Sequence, residues 1–149
     1  MPVGQPTPKT ILVLCTGNSA RSILAEALIP YVTEGRWRAF SAGSKPTGTI
    51  NPFALKVLQD AGVPIPPDAR SKSWDEFSGP NAPKLDVVLT VCDNAAGETC
   101  PLFSGPARRL HMSFPDPAAF EGSDAAKRAA FQIIFDSMKP RLNMLLATL

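Results

Sequence analysis

Histidine and cysteine are scarce in this chain: one His and three Cys among 149 residues. Tetrahedral zinc sites are assembled from close pairs of such ligands, whereas seven residues separate Cys92 from Cys100, so no structural metal site is expected. Excess charge is missing too. A formal net charge of +2 does not advertise a polyanionic partner, and nucleic acid binding is not expected. The longest apolar run, Ile11 to Cys15, falls far short of the roughly 20 residues of a membrane helix, so no membrane association is expected. No signal-peptide apolar segment is read at the N-terminus either, and the expected location is cytoplasmic. Thiols there stay reduced, which leaves packing, catalysis or redox exchange for the three cysteines. Repeats, low-complexity tracts and interdomain linkers are also lacking.

What is present is the composition of one globular domain, with 44% hydrophobic and 19% charged residues. Residues 1–9 hold three prolines and no periodic pattern, so they read as a disordered tail preceding a domain over residues 10–149. Ile11–Leu14 is a continuous apolar run, the pattern of a strand buried on both faces. A helix follows from Ser22 to about Thr33, with Ile23, Leu24, Ala27, Leu28 and Tyr31 on one stripe and Pro30 near its end. Trp37–Ala42 reads as a second strand. Asn51 caps a helix that has Pro52 in its first turn, Leu55 and Leu58 facing inward, and Gly62 at its stop.

Ser73-Trp74-Asp75-Glu76 has the pattern of a capped short helix, Leu85–Val91 that of a third strand, and Arg108–Met112 that of a fourth. Ser123 opens a last helix with Phe131, Ile134, Phe135, Met138, Leu142, Leu145 and Leu146 on its stripe and a kink expected at Pro140. Strands alternating with helices predict an α/β domain with a doubly wound, four-stranded parallel sheet. Ligands of such sheets bind beyond the carboxyl ends of the strands, where Cys15 lies.

Cys15-Thr16-Gly17-Asn18-Ser19-Ala20-Arg21-Ser22 has the spacing C-x5-R and spans one loop between strand and helix. Backbone N–H groups of residues 16–21 can converge on a tetrahedral oxyanion, the helix N-terminus adds positive potential, and Arg21 can clamp two oxygens. Gly17 and Asn18 suit unusual backbone angles. The field that holds an anion also favours the thiolate of Cys15, to which Ser22 can donate a hydrogen bond. A thiolate beside a bound oxyanion can attack its central atom, with Arg21 stabilising the charge that develops. The competing reading is a buried cysteine followed by a capped helix.

The loop resembles the anion loop of the low-molecular-weight tyrosine phosphatase fold, and in particular that of the arsenate reductases sharing it. The likeness continues through Ser41-Ala42-Gly43, Asn51-Pro52, Thr90-Val91-Cys92-Asp93, Cys100-Pro101 and Phe114-Pro115-Asp116-Pro117. It implies that Cys15 attacks arsenic in bound arsenate, that phosphate and sulfate compete for the loop, and that Asp116 protonates the leaving hydroxyl. Cys92 then attacks Cys15, releasing arsenite, and Cys100 takes over the disulfide. The implied role is arsenic detoxification by a monomer with no tightly bound cofactor.

An external thiol closes the cycle. Thioredoxin is the first choice, and a glutathione/glutaredoxin or mycothiol route, in which Cys100 is dispensable, stays open because the thioredoxin-coupled reductases have one residue fewer between their last two cysteines. Asn18, Glu26 and Ser41 match positions that support the loop and help hold a potassium ion in some relatives. A phosphatase acting on aryl phosphates, or a non-catalytic oxyanion or redox sensor, are the competing functions. Ala118 and Ala119 stand where a tyrosine phosphatase would carry aromatic residues, with Phe120 the nearest ring. His111 and the pair Arg108-Arg109 are read as structural or solvated.

Overall fold

In the computed structural model, residues 8–67, 69–79, 82–92, 107–117 and 120–149 are described. β1 (Lys9–Cys15), β2 (Trp37–Gly43), β3 (Val87–Thr90) and β4 (Arg108–His111) form one parallel sheet in the order β2-β1-β3-β4. Among the described residues the α-helices are α1 (Arg21–Val32), α2 (Pro52–Ala61) and α3 (Asp124–Ala147), and a 3-10 helix spans Trp74–Phe77. The four-stranded parallel sheet with helices is therefore the one expected.

β1 is central because both its faces are apolar. Ile11, Val13 and Cys15 join a core with Leu24, Leu28, Val57, Leu58, Phe131 and Met138, while Leu12 and Leu14 join a second with Phe77, Leu85 and Val88. The strand's period of two thus feeds two cores. Each of the four strands directs its carboxyl end to the same edge, where Gly43, Cys15, Thr90 and His111 stand in successive strands.

The capping signals act as chemistry demands. Asn51 accepts from the N–H of Phe53 at 2.9 Å, Ser73 from that of Asp75 at 3.1 Å, and Ser123 from that of Ala126 at 3.2 Å. Gly62 ends α2 with φ of 72°, a left-handed angle that glycine adopts without cost.

Two expectations need correction, for Tyr31 and Leu55. Tyr31 is 44% exposed, because α1 is buried continuously from Ser22 to Ile29 rather than along one stripe, and the ring meets Lys139 on the surface instead. On α2 the buried set is Ala54, Val57 and Leu58, with Leu55 only half-buried. α3 is continuous through Pro140, which lies on the exposed face, where water can take up the backbone groups that proline leaves unpaired, while Met138 and Leu142 stay buried. The disorder expected for residues 1–9 falls mostly outside the described residues; Lys9 already pairs in β1.

Candidate functional site

The loop of residues 16–20 leaves the carboxyl end of β1 and enters α1 at Arg21, and its shape is fixed from outside. Thr16 O accepts from Lys45 N–H at 2.9 Å, Gly17 O from Thr47 N–H at 3.0 Å and Ser71 Oγ at 3.1 Å, and Ser19 O from Asn51 N–H at 2.9 Å. In a trans peptide the N–H points opposite to its C=O, so the amides of Gly17, Asn18 and Ala20 are turned away from these partners. Amides so turned are the donors that an anion nest requires, and the N-terminus of α1 lies beside them. Asn18 adopts φ of 47°, a left-handed angle asparagine tolerates.

The close approach of β2 explains Gly43. A Cβ there would lie 2.9 Å from the carbonyl oxygen of Cys15 and closer still to that of Thr16. Only glycine lets the second strand run this near to the loop.

Cys15, Asn18 and Ser22 are buried. The backbone N–H of Lys72 can only donate, and it lies 2.9 Å from Asn18 Oδ1, which fixes the orientation of the Asn18 amide. Asn18 Nδ2 must then donate both its hydrogens, to Ser22 Oγ at 2.8 Å and to Ser41 Oγ at 2.9 Å. Ser22 spends one lone pair as acceptor, which leaves its own hydrogen available to Cys15 Sγ, 2.9 Å away; either atom of this pair can donate, and a thiolate can only accept. Ser41 in turn donates to Glu26 Oε1. A single line of hydrogen bonds therefore links a buried carboxylate to the thiol.

Arg21 sits at the mouth. Its Nη1 donates to Phe114 O at 3.0 Å, and its Nη2 lies 3.7 Å from Asp116 Oδ2. The Phe114–Asp116 segment is held from three sides. Phe114 N–H donates to Val91 O at 3.1 Å, the Arg141 guanidinium stacks 4.3 Å over the Phe114 ring, and Arg141 Nη1 donates to Ser113 O at 3.2 Å. Asp116 itself is half-exposed.

Cys92 is buried just beyond β3, its Sγ 3.6 Å from Thr16 Oγ1, so a second thiol lies at the residue next to Cys15. The fold thus brings together Cys15, Thr16, Gly17, Asn18, Ser19, Ala20, Arg21, Ser22, Cys92 and Asp116. Cys100, Asp93, Ala118 and Ala119 lie outside the described residues. His111 Nδ1 is 2.6 Å from Thr90 Oγ1 at the strand ends, and Arg108 and Arg109 are exposed on β4. Lys72 and Ser71 were not anticipated. The signal available was Glu26, a carboxylate inside the apolar run Ile23–Ile29, which calls for a cation from elsewhere in the fold.

Residues 10–149 match the family described as Low molecular weight phosphotyrosine protein phosphatase. An arsenate reductase of Bacillus licheniformis is 36% identical over 135 residues, covering 90% of this chain and 92% of the relative, and one of Bacillus subtilis is 34% identical over 134 residues with the same coverage. Among solved structures, the thioredoxin-dependent arsenate reductase of Corynebacterium glutamicum superposes with a TM-score of 0.67 at 26% identity, covering 98% of this chain and 63% of that one. A Vibrio cholerae low-molecular-weight phosphotyrosine phosphatase shares the fold, with a TM-score of 0.71 at 21% identity over 94% of this chain and 95% of that one. With the family match spanning the sheet, the loop after β1 and every described helix, the chain belongs to the low-molecular-weight phosphotyrosine protein phosphatase family.

Proposed function

We propose that the protein reduces arsenate to arsenite with electrons from its own thiols. The Cys15 thiolate attacks As(V) of an arsenate held by the loop amides and Arg21, forming an S–As bond. Asp116 gives a proton to the departing hydroxyl, which leaves as water. The Cys92 thiolate then attacks Cys15 Sγ; the S–As electron pair goes to arsenic, arsenite leaves, and a Cys15–Cys92 disulfide remains. Two sulfurs have lost one electron each, and arsenic has gained two. Cys100 exchanges into this disulfide, and an external dithiol, thioredoxin in this reading, reduces it.

The observation that carries the reading is the second buried thiol at the anion loop, Cys92 Sγ at 3.6 Å from Thr16 Oγ1. Hydrolysis of a phosphate ester needs the loop and Asp116 but has no use for Cys92. The names of the relatives that are more than 30% identical agree with this reading.

The test is arsenite formation from arsenate by the purified protein, with thioredoxin and its reductase or with glutathione and glutaredoxin. Cys15→Ser and Cys92→Ser are each expected to abolish turnover. Cys100→Ser is expected to abolish it with thioredoxin. Full turnover by Cys92→Ser would overturn the relay, and efficient aryl phosphate hydrolysis without arsenite formation would favour a phosphatase.

A further inference from the structure

Glu26 is 4% exposed, and its carboxylate closes the line of hydrogen bonds behind Cys15. A charge so placed is costly unless a partner compensates it. Lys72, 7% exposed, holds its Nζ 3.9 Å from Glu26 Oε1 and donates from the same nitrogen to Arg70 O at 2.8 Å. Its main chain is tied to the site as well, since its N–H donates to Asn18 Oδ1 at 2.9 Å and its carbonyl accepts from Gly43 N–H at 2.9 Å. Lys72 therefore touches the same support through its backbone at one end and its side chain at the other.

The geometry also bears on whether Asn18, Glu26 and Ser41 can ligate a potassium ion. Such an ion needs oxygen lone pairs turned toward it. Asn18 Oδ1 already accepts from Lys72, the Asn18 amide nitrogen faces both serines, Ser41 directs its hydrogen at Glu26, and an ammonium stands beside the carboxylate. These residues do not fit an alkali cation.

We infer that Lys72 is a positioning residue, an internal cation that neutralises Glu26 and holds the Glu26–Ser41–Asn18–Ser22 line behind the Cys15 thiol, so that the site needs no alkali ion. The inference rests on the reading of Cys15 as the reactive thiol. Its test uses no arsenate, so failure of the reductase reading would leave it standing.

The full-length protein is compared in potassium chloride and in tetramethylammonium chloride at equal ionic strength and neutral pH. The readouts are alkylation of the Cys15 peptide by iodoacetamide, followed by mass spectrometry, and the thermal midpoint. Wild type is expected to give the same values in both salts, and Lys72→Met to be alkylated at Cys15 about tenfold more slowly, with a lower midpoint. Glu26→Gln combined with Lys72→Met removes both charges together and is expected to be more stable than Lys72→Met alone. A potassium-specific gain in wild type, or a wild-type alkylation rate in Lys72→Met, would overturn the inference. Should Lys72→Met fail to fold, the double variant decides: folding supports the pairing, and a double variant no more stable than the single one refutes it.

Discussion

Ser22 Oγ lies 2.9 Å from Cys15 Sγ and accepts a hydrogen bond from Asn18 at the same time, which leaves its own hydrogen available to the sulfur. The chain of donors is set by a backbone amide 54 residues away, that of Lys72, which makes the support of the thiol a tertiary rather than a local feature.

Removing this donor should weaken the nucleophile without unfolding the protein. Ser22→Ala is expected to lower the rate of Cys15 alkylation and of arsenate turnover by roughly ten- to a hundredfold, as for a lost hydrogen bond to a charged group. The thermal midpoint should fall only slightly. Equal alkylation rates in the two proteins would count against the bond.

Arg21 does two things that lysine cannot do together, holding Phe114 O and facing Asp116 with a second nitrogen. Arg21→Lys is expected to reduce kcat/KM for arsenate about a hundredfold and to abolish protection of Cys15 by sulfate, because the planar fork is lost. Alkylation with and without sulfate reads this directly.

Gly43→Ala forces a methyl group against the carbonyl oxygens of Cys15 and Thr16. Backbone atoms have no rotamer to move to, so the cost should be about 2–3 kcal/mol. Thermal unfolding should show the loss, and phosphate binding measured calorimetrically should weaken with it as the loop shifts.

Glu76 carries a titration effect whose sign is fixed by its partner. A hydrogen bond from Arg70, helped by the charges of Arg70 and Lys72, holds its carboxyl below the ordinary value of 4.5 against the opposing effect of desolvation. A depressed folded-state value contributes stability above the unfolded value and loses it as pH falls through the folded one. Glu76→Gln should therefore be slightly less stable than wild type at neutral pH, by under about 1 kcal/mol for so exposed a pair. The two proteins should converge in acid, as denaturant melts at several pH values would reveal.

The elements were legible wherever local physics decides them. Ile11–Leu14 reads as a doubly buried strand because its neighbours on both sides are apolar, and the caps at Asn51, Ser73 and Ser123 bond as their side chains dictate. The loop was legible because C-x5-R between a strand and a helix is itself local. Tyr31 was misassigned because α1 is enclosed on every side along Ser22–Ile29, so helical periodicity carries no information about which face is wet. Lys72 was missed for a different reason. Its bonds to Asn18 and Glu26 cross 54 and 46 residues of sequence, and nothing in Arg70-Ser71-Lys72-Ser73 marks one lysine as buried.

The relay between Cys15 and Cys92 is best tested in a single turnover. Cys100→Ser protein, fully reduced and freed of external thiol, is mixed with arsenate, quenched in acid and digested for mass spectrometry. A Cys15–Cys92 disulfide formed in step with one arsenite per protein is the expected result. Arsenite released without that disulfide, or no arsenite from a protein whose Cys15 remains reactive, would mean that Cys92 is not the thiol that completes the reduction.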